Sequence, residues 1–389
     1  MTALTVKPRS RLFHGHEWVY ASDIQNIAGS AEPGDVVMLK DVKGKPLGSA
    51  IYNPKSQIVA RRFSYRKQDL DKEFFLRRIE RALNYRKSLP LDQNLCRIVW
   101  SESDGLPGLI VDRYGDHLVI QALTFAMSIR QDLIVAALVE LFQPKSITAR
   151  NDSPVRKAEG LELEKTCLHG TTPAPFEYKT RGMVFQVDLM EGQKTGMYLD
   201  QLDNYSAVAR HAKGKRVLDC FTNQGGFAQA AALAGAREVI AVDVSETAVE
   251  MCQRNARAAG VAIGARADNV FDYLKTAEKQ GEQYDLIVLD PPSFTKSKQS
   301  LTDAMRGYKE IHLRAMKMLQ PGGILATFSC SHHVSMGDFR MMINSAAVDT
   351  RRTLRYIDTY TQRADHPILT GIPETEYLRG YALEVIGGW

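Results

Sequence analysis

Two short stretches hold the side chains best suited to covalent chemistry. Phe328-Ser329-Cys330-Ser331-His332-His333 closes an apolar run that starts at Gly323, and Asp290-Pro291-Pro292-Ser293-Phe294 closes the run Tyr284-Asp285-Leu286-Ile287-Val288-Leu289. Two prolines fix φ and cannot donate to a ladder, so a strand must stop there with Asp290 at its tip. If the two runs are neighbouring strands, Cys330 lies beside Asp290. A thiolate there could add to C6 of a pyrimidine and turn the weakly nucleophilic C5 into an enamine carbon. A carboxyl group at N3 would steady the adduct as charge shifts. Pro291, Phe294 and His332 flank the pair; Phe294 offers a face for an extruded base, and His332 a phosphate contact or a partner for the thiolate. Plainer readings exist: a cysteine in a sheet is often a small buried hydrophobe, Asp-Pro-Pro a tight turn, and the histidines surface groups. The position of Cys330 between serines at a strand end favours the nucleophile.

A second series points to a cofactor. Val217-Leu218-Asp219 runs into Phe221-Thr222-Asn223-Gln224-Gly225-Gly226, a strand leading into a glycine loop. Gly225 and Gly226 are expected to let the backbone approach a ligand, with Phe221 and Asn223 in the same loop. Asp219 is placed to accept from a cationic amine. The next strand ends 24 residues later at Asp243, where a carboxylate binds a ribose diol, with Val244 beside it and Ser245 as a helix N-cap. Asp268 and Asn269 are placed at an adenine edge. Gln193, Lys194 and Thr195, within Glu191-Gly192-Gln193-Lys194-Thr195-Gly196, suit a methionine carboxylate. A nicotinamide enzyme would favour G-x-G-x-x-G to cradle a pyrophosphate, and this loop lacks that spacing. S-adenosylmethionine, which has no pyrophosphate, is the expected cofactor.

These groups need elements to hold them. From about residue 215, strand-length apolar runs (RVLDCF, EVIAVDV, YDLIVLD, GILATFSC) alternate with helical patterns (FAQAAALAG, ETAVEMCQRNARAAG, TDAMRGYKEIHLRAMKML). Such alternation indicates a parallel sheet covered on both faces, and ligands then bind at the carboxyl ends of its strands. RYIDTYTQ and YLRGYALEVI close the chain as an antiparallel hairpin without a full helix between them. The expected fold is α/β: a Rossmann-like, mostly parallel seven-stranded sheet over residues 181–389. Residues 71–180 read as an α+β domain. Its first helix buries Phe74, Phe75, Ile79, Ala82 and Leu83, with Arg77, Arg78, Arg81 and Arg86 around them. Residues 1–70 read as a small β-barrel of short strands cut by PG, KGKP and NPK turns. Trp18 and Tyr20 lean toward core roles there.

Composition narrows the class further. The chain has 389 residues, 44% of them hydrophobic, and a net charge of +5. Residues 1–70 hold eleven Lys and Arg against six Asp and Glu, so their surplus of five equals the whole-chain value. Positive charge gathered at one end suits a polyanion. The N-terminus lacks a secretory pattern and no run reaches a membrane span, so a cytoplasmic protein is expected. The five cysteines have no zinc-type spacing, and no metal is expected.

With these motifs assembled, the chain resembles the RlmI (YccW)-like 23S rRNA cytosine-C5 methyltransferases. EGQKTGMYLDQLDNY, VLDCFTNQGGFA, VLDPPSFTKSK, FSCSHH, RLFHGHEWVY, ESDGLPGLIVDRYGD and the terminal DHPIL…PETEYLRGYALEV carry the likeness, from about residue 5 to the end. The resemblance implies an N-terminal PUA-type RNA-binding domain, a central domain, a methyltransferase domain, and RNA (23S rRNA or a large-subunit assembly intermediate) as partner, with a homodimer left open. It implies Cys330 as nucleophile assisted by Asp290, in the single-cysteine group. The loop departs from the family's usual pattern: Asn223-Gln224 lengthens it by a residue. Two other readings stay open: methylation of an exocyclic base amine, with Cys330 only structural, and an RNA-binding ribosome-assembly factor with a vestigial site. The intact acids Asp219, Asp243, Asp268 and Asp290 weigh against the last.

Overall fold

The computed structural model describes residues 2–294, 301–331 and 333–388. The chain divides into two compact units. Unit 1 comprises Met1–Pro175, Asp188–Leu199 and Ala364–Thr375; unit 2 comprises Phe176–Val187, Asp200–Arg363 and Glu376–Trp389.

Unit 1 contains two sheets. The first is built from β1 (Ala3–Val6), β2 (Trp18–Val19), β3 (Ile24–Ala28), β4 (Val36–Lys40), β5 (Pro46–Tyr52) and β6 (Ala60–Ser64), in the order β2-β6-β5-β4-β1-β3. Alternation decides which face is buried: Leu4 and Val6 of β1 and Val37 and Leu39 of β4 point inward onto Leu12, Val19 and Tyr52. Trp18 is partly buried and its indole donates to Glu102 Oε1 at 2.9 Å, beneath the Arg61 guanidinium. That is a structural role, as the sequence suggested.

Then follow α1 (Lys72–Lys87), β7 (Leu95–Trp100), β8 (Leu109–Tyr114), β9 (His117–Ala122), α2 (Phe125–Ser128), α3 (Gln131–Phe142), β10 (Ser146–Asn151), α4 (Val155–Ala158) and β11 (Glu164–Gly170). The second sheet runs β11-β10-β9-β8-β7. Asp71 caps α1 by accepting from Phe74 N at 2.7 Å. The expected stripe of α1 is buried against Ile98, Val111 and Ile134. Arg86 departs from expectation: it is fully buried, not peripheral. Its guanidinium grips Asp104 bidentately at 2.5 and 2.8 Å and donates to the carbonyls of Arg97 and Asp365. Full pairing is what permits the charge inside.

Unit 2 begins with the hairpin β12 (Phe176–Thr180) and β13 (Met183–Val187), paired from Phe176↔Val187 to Thr180↔Met183. The boundary expected at 180/181 would cut this hairpin at its turn; the hairpin stays whole, and the division falls after Pro175. Next come α5 (Leu202–Ala209), β14 (Arg216–Cys220), α6 (Gly226–Leu233), β15 (Glu238–Asp243), α7 (Glu246–Ala258), β16 (Gly264–Ala267), α8 (Val270–Lys279) and β17 (Tyr284–Leu289). The remainder is α9 (Leu301–Lys317), β18 (Leu319–Ser329), α10 (Met336–Asp349), β19 (Arg352–Thr361) and β20 (Arg379–Gly388). The seven strands lie in the order β16-β15-β14-β17-β18-β20-β19. β16, β15, β14, β17 and β18 pair in parallel, while β20 runs antiparallel to both of its neighbours. The mostly parallel sheet with a terminal hairpin is therefore as expected. β14 and β17 are apolar on both faces because helices cover both, and their core runs through Leu218, Ile287, Leu325, Phe339 and Tyr381.

Inside unit 1 a buried ion pair ties β7 to β8. Arg97 donates to both oxygens of Asp112 at 2.7 Å each, and Thr195 adds a third bond to Asp112 Oδ2 at 2.6 Å. Removing one member leaves a buried charge without its partner. Asp112→Ala is expected to lower stability by about 3–5 kcal/mol. Urea unfolding measures it, and a loss under about 1 kcal/mol would mean that the pair carries no such weight.

Candidate active site

Register carries the site residues of unit 2 to one edge. Cys220 pairs with both Val242 and Leu289, and Leu289 with Thr327, so β14, β15, β17 and β18 end level. Asp219, Asp243, Asp290 and Cys330 all stand within three residues of that line.

The loop after β14 is a sharp one. Phe221, Asn223 and Gly225 take φ values of 63°, 49° and 81°, all left-handed. Bonds from Thr222 N to Val242 O and from Gly225 N to Thr222 O hold the loop. Glycine is needed here for a reason that the sequence did not show. A Cβ on Gly225 would lie 2.5 Å from Cys252 Sγ, and one on Gly226 would lie 2.4 Å from the Tyr205 ring. Protein atoms already fill that space, so packing against α7 and α5 explains both glycines. Gln224, one of the two residues that lengthen the loop, is buried. Its Oε1 accepts from Gln186 N at 3.2 Å and its carbonyl from Asn255 Nδ2 at 3.1 Å, binding the loop to β13 and α7.

Asp219 is fully buried. Its Oδ2 accepts from Thr222 Oγ1 at 2.6 Å and Ala228 N at 3.1 Å, whereas its Oδ1 has no hydrogen-bond partner among the described residues. Burial pushes its pKa up to about 7, and Asp290 and Asp243 push the same way against the Thr222 and Ala228 hydrogen bonds. A buried carboxylate with an unfilled acceptor, among like charges, fits a cation. An ammonium group on a bound ligand would supply one.

Asp243 accepts from Asn223 N at 2.9 Å through Oδ2 and from Ser245 N at 3.0 Å through Oδ1. A carboxylate has about four acceptor sites, so room remains for a diol. Val244 beside it is 70% exposed, an apolar side chain in the open at a strand end. Asp268 is exposed and its backbone N–H donates to Asp243 O. The Asn269 side chain caps α8 by accepting from Phe271 N at 2.9 Å. Gln193, Lys194 and Thr195 belong to unit 1. There Thr195 is buried with its hydroxyl on Asp112 and Tyr114, Lys194 lies over the Tyr198 ring, and Gln193 bridges to Gly196.

At the neighbouring tips, Cys330 Sγ is 4.0 Å from Pro291 O. Asp290 is half-buried and accepts from Gln201 Nε2 at 2.9 Å; Asn204 Nδ2 in turn donates to Gln201 Oε1 at 2.7 Å. Phe294 lies among Phe221, Phe271 and Tyr308, with 4.7 Å between its ring centre and that of Tyr308. Phe294 is partly buried and packs in this aromatic cluster. His332 lies outside the described residues. Sequence reasoning missed the clamp beneath Cys330: Tyr308 OH meets Ser331 Oγ at 2.8 Å, and Ser331 Oγ meets Ser293 Oγ at 2.9 Å. Arg379 donates to the carbonyls of Ser331 and Val334. His312 pins α9, which carries Tyr308, to β18. Its Nδ1 faces the Tyr308 carbonyl and so must donate, which leaves Nε2 to accept from Thr327 Oγ1 at 2.7 Å. Burial holds it neutral, with its pKa pushed down to about 4.

The Asp219 geometry sets a pH dependence. Its folded pKa of about 7 lies above the ordinary carboxylate value of about 3.9, so its stabilising contribution is full below about pH 4 and is lost as pH rises to about 7. A bound ammonium favours the ionised form. Cofactor uptake near pH 6.5 is therefore expected to release a proton, and affinity to rise as pH increases through about 7. Asp219→Asn should abolish this proton release and weaken binding about 10–100-fold, the equivalent of one charge-assisted hydrogen bond of about 1.5–3 kcal/mol. Calorimetry in buffers of different ionisation enthalpy measures both, and unchanged proton release in the variant would refute the assignment.

A family model described as S-adenosylmethionine-dependent methyltransferase matches residues 165–370, and a PUA-like domain model matches residues 4–65. The curated Ribosomal RNA large subunit methyltransferase I of Erwinia tasmaniensis is 40% identical over 382 residues, covering 96% of each chain. The protein of the same name from Yersinia pestis is 37% identical over the same length and coverage. A putative SAM-dependent methyltransferase from Streptococcus mutans superposes with a TM-score of 0.85 at 22% identity, covering 99% of this chain and all of that one. A putative methyltransferase solved with SAH superposes with a TM-score of 0.86 at 22% identity, with the same coverage. At that identity the two structures speak for the fold. The chain belongs to the S-adenosylmethionine-dependent methyltransferases, within the family of the ribosomal RNA large subunit methyltransferase I proteins, and S-adenosylmethionine is its cofactor.

Proposed function

We propose that this methyltransferase forms 5-methylcytosine in 23S ribosomal RNA through a Cys330 thiolate. The observation that carries the reading is the pairing of the two strand tips, where Cys330 Sγ lies 4.0 Å from the carbonyl of the residue that follows Asp290. The names of the relatives, the PUA-like match and the positive surplus of residues 1–70 support large-subunit rRNA as substrate. Bound S-adenosylmethionine supplies an electrophilic methyl group.

The Cys330 thiolate adds to C6 of the cytosine, and the C5–C6 π pair moves to C5, which takes the methyl. Asp290, held by Gln201, donates a proton to N3 as negative charge gathers on the ring and takes it back as Cys330 leaves. Loss of the C5 proton to a base returns the electron pair to the C5–C6 bond and expels Cys330. The Tyr308–Ser331–Ser293 clamp fixes the residues on either side of this chemistry, so that thiol and carboxylate meet one ring. An exocyclic-amine methyltransferase would need no thiol here, and the partial exposure of Cys330 favours its use.

Cys330→Ser is expected to lower methyl transfer to rRNA by at least about 1,000-fold with cofactor affinity unchanged, as for loss of a covalent nucleophile. RNA bearing 5-fluorocytosine lacks the C5 proton and should trap the enzyme covalently through Cys330. Gel analysis shows the adduct, and full activity in Cys330→Ser would sink the thiolate mechanism.

A further inference from the structure

Unit 1 carries a basic cavity for which the chemistry at the sheet edge has no use. It encloses about 290 Å³ between α1 and the turn Ser101–Asp104 with Gly105, and Arg78, Arg81, Tyr85, Ser103, Gly105 and Pro367 line it. Arg78, Arg81, Ala82 and Tyr85 recur at the i, i+3, i+4, i+7 spacing, one stripe of α1 facing the cavity. The arginines noted in sequence as surrounding the apolar stripe of this helix thus separate into two roles. Arg86 is consumed inside the protein, whereas Arg78 and Arg81 form no ion pair with any carboxylate among the described residues.

The charge there is net positive. The one carboxylate in the wall, Asp104, is already held bidentately by Arg86 and also accepts from Trp100 N. Arg78 is half-buried, and burial, with smaller contributions from the like charges of Arg81 and Arg77, lowers its pKa. Its orientation is built in. One Nη donates to Phe63 O at 2.9 Å, and the other comes so close to Gly105 that a Cβ there would be 3.0 Å away. Gly105 has φ +68°, so it is a position where glycine serves both the turn and the guanidinium. Tyr85 adds an aromatic ring, 40% exposed. Clustered like charges on one helix face are unfavourable unless an anion joins them. Guanidinium forks match the oxygens of a phosphate, and an exposed ring beside them suits a nucleotide. The volume is at the low end for ligand clefts, roughly 300 Å³, enough for a phosphate with part of its nucleotide.

We propose that this cavity binds a backbone phosphate of the RNA substrate, with Arg78 and Arg81 on the phosphate oxygens and Tyr85 against the adjoining nucleotide. The proposal rests on the rRNA reading above and adds a second anchoring point, on α1, to the basic N-terminal sheet. Such a contact positions the RNA without reading its sequence.

The test uses the full-length protein with S-adenosylmethionine and a protein-free large-subunit rRNA transcript. Methyl transfer by the unaltered protein to this transcript and to large-subunit assembly intermediates is measured first; failure with both refutes the rRNA reading and leaves the cavity to be judged by its phosphate binding alone. Anisotropy titrations across salt concentration then compare the unaltered protein with Arg81→Gln, the Arg78→Gln/Arg81→Gln pair and the Arg78→Lys/Arg81→Lys pair. Each lost phosphate contact should lower the slope of log affinity against log salt by about one. The Gln pair is expected to bind RNA at least about tenfold more weakly near 0.15 M salt, with cofactor affinity unchanged. The Lys pair should keep most of the slope and lose part of the affinity. Arg81 is exposed, so the single variant tests the proposal even if the pair with Arg78 fails to fold. Unchanged slope and affinity in Arg81→Gln and in the Gln pair overturn the proposal. So does tight binding of inorganic phosphate or adenosine monophosphate that the Gln pair loses while RNA binding is unaltered, which would assign the cavity to a small phosphorylated ligand.

Discussion

Parallel hydrogen-bond register between β14, β17 and β18 is the constraint from which the active site follows. Because Cys220, Leu289 and Thr327 lie across one line, the residues just beyond each strand are forced to the same edge. A one-residue slip in any pairing would invert that strand's side chains between the two faces of the sheet. Close packing of both faces against their helices opposes it, because the inverted side chains would not fit the spaces the helices leave for them. Leu218, Ile287 and Leu325 are fully buried, so the core that stabilises unit 2 also fixes the spacing between the carboxylates and the thiol.

The edge so formed is electrostatically unsatisfied in a specific way. Asp219 is buried with one oxygen unpartnered among the described residues, and Asp290 and Asp243 raise its proton affinity further. Native proteins rarely leave such an atom empty without a use for it. A cofactor that carries positive charge removes the conflict, and the desolvation that is costly in its absence then strengthens the attraction. Around this centre the loop is held by protein atoms on every side: Cys252 and Tyr205 crowd the glycines, and Gln224 binds β13 and α7.

Most of the architecture could be read from the sequence. The near-continuous apolar runs and the Asp-Pro-Pro stop are local signals, and strands of that composition have few alternatives. What escaped was non-local. Gln201 orients Asp290 across 89 positions of sequence, and Tyr308 reaches Ser331 across 23. No spacing rule links such pairs. Gly225 and Gly226 were legible as a loop, yet the atoms that exclude a side chain come from α7 and α5, which only the fold brings near. The aromatic cluster around Phe294 escaped because its three ring neighbours are distant in sequence. Arg86 looked peripheral for the same reason: its partner Asp104 sits 18 residues away on a turn.

The proposed function has this edge deliver a methyl group to C5 of a cytosine in large-subunit rRNA. Mass-spectrometric mapping of 23S rRNA from cells with and without the gene tests it most directly. One 5-methylcytosine is expected to be lost in the absence of the protein, restored by the unaltered gene and not by one encoding Cys330→Ser. Unchanged 5-methylcytosine, or the disappearance of a base methylated on nitrogen instead, would contradict it.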